Sequence, residues 1–174
     1  AWCDYDNDRF VEIALKRLAD MGHRRVVLFG PTPDFTFYRH MAEAARRCRK
    51  SLGSSVTIPD GIPLSASADA IREFVRGQLV TGNAPDAYIC PGEVPALAVM
   101  SAIQDHGLSV GEDIAVIAKQ TSKVFDLVRP QVDTIYEDIR AAGLALGELM
   151  QRRIAGEPAP VLQDLQLPEP RFRG

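Results

Sequence analysis

The chain has 174 residues, 46% hydrophobic and 25% charged, with a formal net charge of −3. That length supports one full core or one and a half lobes of a larger body. The composition is that of a globular chain, and the slight acidity argues against a free-standing nucleic-acid binder, which shows a basic excess or stripe. Three widely spaced cysteines, Cys3, Cys48 and Cys90, fit neither a disulfide framework nor a zinc site, and a reducing, cytoplasmic setting suits them best. No run approaches the roughly 18 apolar residues of a membrane span. The opening Ala1-Trp2-Cys3-Asp4 lacks the basic start and apolar stretch of a signal peptide. It also lacks Met and reads as the tail of a strand, so the chain is expected to be a piece of a longer protein.

Strand and helix signals then alternate. Over residues 8–21, Phe10, Ile13, Ala14, Leu18 and Met21 keep helical spacing, with Asp6 or Asn7 as the cap and Gly22 as the stop. The apolar run 25–29 ends at Gly30 and suits a strand buried on both faces of a parallel sheet. Residues 30–36 form a Pro-containing loop and 38–50 a helix. The basic cluster Arg46, Arg47, Arg49 and Lys50 falls at that helix's end, where cations complement the dipole, and reads as a solvated end. Residues 56–58 are a candidate strand, and Ser67 caps a helix over 68–80 with Ile71, Phe74, Val75 and Leu79 on one face. Strand 87–90 leads into helix 93–106, with Gly107 as its stop. Strand 114–117, strand 132–136, helix 137–154 and strand 161–167 complete the pattern. Such repetition implies right-handed crossovers and a doubly wound α/β parallel sheet, with ligands beyond the carboxyl ends of the strands.

Converging catalytic groups are not foreseen. His23, His40 and His106 all sit near expected helix ends, and the chain has no metal-ligand spacing, nucleophile elbow or phosphate loop. No enzyme activity, cofactor or metal is expected.

Five segments carry a resemblance. Residues 6–30, DNDRFVEIALKRLADMGHRRVVLFG, combine an Asp-Asn pair, a helix and Gly-His-Arg-Arg before a hydrophobic strand. Arg39 opens an Arg-x-x-x-x-Ala pattern ending at Ala44. Residues 85–118 run from Pro-Asp-Ala through an Ala- and Leu-rich helix to Gly-Leu-x-Val-x-x-Asp-Ile. Residues 129–158 and the ending LPEPRFRG complete the order. Together they resemble the effector-binding part of the lactose-repressor (LacI/GalR) family of transcription regulators.

The resemblance implies a two-lobed fold of the periplasmic-binding-protein type I class. This chain would supply the C-terminal lobe (about 22–130 and 159–174) and the crossover with the last strand and helix of the N-terminal lobe (about 1–21 and 131–158). The DNA-binding headpiece would lie outside it. A ligand-responsive transcriptional regulator would follow, repressor or activator, sensing a sugar or sugar-like effector, dimeric, and meeting operator DNA through the headpiece. A periplasmic sugar-binding transport protein shares the fold and is the alternative.

Carried over by position, Arg39 matches the family's effector-contacting Arg, whose planar fork suits vicinal hydroxyls or a carboxylate. Asp34, Phe35 and Thr36 fill the loop before it, where an aromatic ring can stack on a sugar. Gly92-Glu93 stands where the family commonly has Asn-Asp. Ala118-Lys119-Gln120-Thr121 stands where it has Gly-Phe/Tyr-Asp-Asp, so Gln120 replaces an acid that bonds the ligand. Arg39 and Lys119 together would favour an anionic ligand. Leu97 and Met100 are the candidates for an intersubunit helix face.

Overall fold

The computed structural model describes residues 1–30, 35–59, 62–63 and 65–173. Eight strands and six α-helices are seen among them. In chain order they are β1 (Trp2–Tyr5), α1 (Asn7–Asp20), β2 (Arg25–Leu28), α2 (Thr36–Leu52), β3 (Ser55–Thr57), α3 (Ala68–Leu79), β4 (Ala87–Cys90), α4 (Glu93–Asp105), β5 (Ala115–Gln120), α5 (Val124–Leu127), β6 (Asp133–Tyr136), α6 (Ile139–Ile154), β7 (Gln163–Gln166) and β8 (Glu169–Arg171). A short 3-10 turn, Ala159–Val161, precedes β7.

Six strands form one sheet in the order β3-β2-β4-β5-β6-β8. The first five run parallel, and β8 returns antiparallel to β6 with Thr134 opposite Arg171. Side chains alternate between the faces of a strand, and β5 displays the result. Val116 and Ala118 enter a core with Ile71, Val75, Val99 and Ile103 from α3 and α4. Ala115 and Ile117 enter a second core with Phe10, Leu18, Met41 and Ala44 from α1 and α2. The sheet is thus covered on both sides, which explains why β4 is buried at every position. Each large side chain here, such as Phe10, contributes about 1.5–3 kcal/mol by leaving water.

Local chemistry sets the helix ends. Asp6 accepts from the backbone N–H of Arg9, Ser67 from Ala70, and Asp138 from Arg140 and Ala141. Asn7, the other expected cap, instead donates to the Tyr5 carbonyl. Gly22 closes α1 at φ +94°, while His23 N–H reaches back to the Leu18 carbonyl and Gly22 N–H to that of Ala19.

The remaining elements form a smaller unit. β1 pairs in parallel with β7, and α6 packs on these two strands. Of α6's side chains only Leu149 is buried, leaving Ile139, Leu144, Leu146, Met150 and Ile154 exposed. The structure draws the division differently from the sequence reading. α1, assigned there to the crossover, packs on α2 beneath the large sheet, and β6 lies inside that sheet. β7, assigned to the C-terminal lobe, sits instead with β1. The chain therefore passes between the units at residues 5–7, 136–139 and 166–169.

Candidate effector site

Four adjacent parallel strands, β2, β4, β5 and β6, end at one rim of the sheet. Gly30, Pro91-Gly92, Thr121 and Glu137 leave the sheet there. The topology brings the turns carrying Arg39, Glu93 and Gln120 to that same rim, as the sequence predicts, but only some of their side chains are available.

Arg39 lies in the first turn of α2, opposite the buried face of Met41, Ala44 and Ala45, and is exposed. Among the described residues its guanidinium meets no acid and no carbonyl. Phe35 precedes the helix and is more than half exposed, with its ring tilted 5.8 Å from that of Phe37. Thr36 opens the helix and is also exposed. Asp34 lies outside the described residues.

Glu93 opens α4 after Gly92 and points across to the next turn. Its carboxylate accepts from the backbone N–H of Thr121 at 2.8 Å, that of Ser122 at 2.7 Å and the Ser122 hydroxyl at 3.0 Å. It therefore shapes the β5–α5 turn, with its acceptor capacity largely used. Gln120, predicted to bond a ligand, is 1% exposed. Its amide donates to the Ser122 carbonyl at 2.8 Å and its oxygen accepts from the Thr134 hydroxyl at 2.8 Å. The position that an acid would use toward a ligand here stitches β5 to β6.

Lys119 projects to the opposite face from Gln120. Its Nζ lies 2.8 Å from Glu137 Oε1 and 5.3 Å from the centre of the Phe10 ring, and both charged side chains are largely buried. Burial pushes the Glu137 carboxyl up, and Lys119 opposes that shift. The ammonium expected to greet an anionic ligand is thus committed internally. Glu137 is the residue the sequence reading misses, because a lone Lys does not announce a partner 18 positions later. The same junction is tied by Glu137 N–H to the Gln120 carbonyl at 2.9 Å and by the Tyr5 hydroxyl to the Asp138 carbonyl at 3.1 Å.

Met100 is 3% exposed inside the core with Val99 and Ile103, so α4 does not present it to a partner. Leu97 is partly buried against that core. On the same helix Val94 is 61% exposed, and Leu127 of α5 is 84% exposed. Among the described residues no three His, Cys, Asp or Glu side chains gather as a metal site, and no helix is long and apolar enough to cross a membrane.

A compact sheet whose parallel strands end at a common rim, joined by three crossings to a smaller unit, defines a binding-protein fold. The chain belongs to the family described as periplasmic binding protein-like domain, whose model matches residues 15–174. Among curated relatives it is similar to the HTH-type transcriptional regulator MalR of Streptomyces coelicolor, 24% identical over 97% of this chain and 50% of that protein. The chain thus spans about half the length of that relative. Among solved structures it superposes on a LacI-family regulatory protein from Chloroflexus aggregans with a TM-score of 0.86 and 20% identity, covering 100% of this chain and 63% of that one. A LacI-family regulator from Arthrobacter sp. FB24, solved in complex with lactose, gives a TM-score of 0.81 at 22% identity over 97% and 62% of the two chains. The likeness to these two structures is one of fold.

Proposed function

We propose that this chain is the effector-binding part of a LacI-type transcription regulator and that a sugar or sugar-like molecule binds at the rim beside Arg39. The observation that carries the reading is Arg39, exposed in the first turn of the helix that follows β2 and without an acid partner among the described residues, on the side of the sheet where ligands of such sheets collect. Its fork donates in pairs, as vicinal hydroxyls or a carboxylate require. With Lys119 paired to Glu137, Arg39 supplies a positive charge for an acidic sugar. Phe35 offers an apolar ring for a sugar face.

The second lobe is proposed as the cover. The exposed apolar face of α6 and the two-stranded β1–β7 sheet are too small to be stable alone and suit the edge of a larger lobe closing over the rim. Ligand would then bias lobe closure and, through it, a DNA-binding segment and its dimer mate. Val94, Leu97 and Leu127 are the apolar side chains that a twofold partner would cover. The regulator reading is favoured over a transport protein by the regulator named among its relatives.

Isothermal titration of neutral and acidic sugars into the protein and its Arg39→Ala variant tests the reading. Binding of at least one sugar, weakened about tenfold or more by the variant through loss of a charged hydrogen bond, is expected. Equal affinity in both proteins would contradict the site.

A further inference from the structure

β3 is the outer strand of the large sheet, and among the described residues it pairs only with β2. Ser55 N–H donates to the Arg24 carbonyl, so the polar backbone groups of Ser55 and Thr57 face β2 and those of Val56 face outward. Among the described residues no backbone hydrogen bond outside the β2 ladder engages Val56 or Ile58. Grooves flank the strand on both faces of the sheet. One, of about 240 Å³, is floored by Ala42, Ala45, Val56 and Ile58 and walled by Arg46 and Arg49. The other, of about 220 Å³, runs along Ser55, Thr57, Gln78 and Arg25.

We propose that this edge receives an extended acidic segment of another polypeptide, which adds as a seventh strand beside β3. Strand addition satisfies the outward N–H and C=O of Val56, and alternate side chains of the incoming strand drop into the two grooves. Charge selects the partner. Arg46 and Arg49 are neighbours on α2, both exposed, and neither meets an acid among the described residues. Arg47, by contrast, turns to α1 and pairs with Asp8 and Glu12. Among the described residues no acidic side chain lines either groove. Carboxylates at alternate positions of the added strand would meet the two guanidiniums. Edge-to-edge pairing with a second copy would instead bring two sets of these arginines together, and like charges oppose it.

The test uses the purified protein and a fluorescein-labelled peptide of alternating Glu and Val, with a Lys–Val peptide as control, read by anisotropy. The Glu–Val peptide should bind, more weakly as salt is raised, and slow amide exchange at Val56 and Ile58. The double variant Arg46→Glu, Arg49→Glu, on the surface and with an unchanged melting temperature, should weaken it about tenfold or more. Val56→Pro should remove binding by deleting the outward N–H. Equal binding of the two peptides, no binding of either, unchanged affinity in the arginine variant, or exchange protection elsewhere would each overturn the proposal. So would self-association abolished by Val56→Pro.

Discussion

Lys119 on β5 and Glu137, the residue just after β6, meet at the junction where the chain leaves the large sheet. Breaking a buried pair leaves one charge uncompensated, so Lys119→Met should destabilise by about 3 kcal/mol near neutral pH. The sign of its pH dependence follows from Glu137. Its folded pKa stands above the ordinary carboxylate value, so its contribution to stability is full below that ordinary value and is lost as pH rises through the folded one. Removing Lys119 lifts the folded value further and carries that window upward. The deficit of the variant in urea midpoint should therefore be small near about pH 4 and grow toward about pH 8. A deficit independent of pH would refute the pairing.

Asp133 presents a second buried carboxylate, accepting from Arg17 Nε at 2.6 Å and from the Arg173 backbone N–H at 2.6 Å. Asp133→Ala should cost about 3 kcal/mol in chemical denaturation. It should also free the C-terminal residues, read as faster amide exchange at Phe172 and Arg173. An unchanged exchange pattern would show that β8 holds the tail without that carboxylate. Residues of this sort resist sequence reading. Arg39 is legible because its availability depends on one helix turn, whereas the fates of Lys119, Gln120 and Glu93 depend on partners brought together by the sheet. Met100 is a similar case: its spacing on α4 is the same for an interface and for a core, and only the packing of α3 against that face decides.

Elements are more legible than sites. Helical spacing places α1, α3 and α4 within a residue or two, helped by a capping side chain at the start of α1 and α3 and by a glycine after α1 and α4, signals that act locally. α5 and β8 leave little trace: a four-residue helix has no period, and Glu169-Pro170-Arg171 is a strand only because β6 offers an edge. The lobe boundary is misread for the same reason, as α1 follows β1 in sequence yet packs with α2. Gly22 tests the local account. An added Cβ would meet no atom within 4 Å, so the φ of +94° is the sole obstacle. Gly22→Ala should cost about 1 kcal/mol by thermal denaturation, the strain of a left-handed backbone. A neutral or stabilising substitution would show that the turn relaxes without glycine.

The whole molecule combines a well-covered six-stranded sheet with a small unit whose apolar face is open. The sheet order, with its parallel strands ending together, follows from alternating strand and helix signals and right-handed crossovers. What the pattern leaves open is which rim residues are spare; Arg39 and Phe35, both exposed, are the ones we propose. Amide exchange of the purified protein with and without a bound sugar tests this most directly. The account predicts slowed exchange at residues 35–39, at Gly92 and Glu93, and at residues 121–123. Protection confined to the opposite end of the strands, around Gly111, Gln131 and Val132, would contradict it.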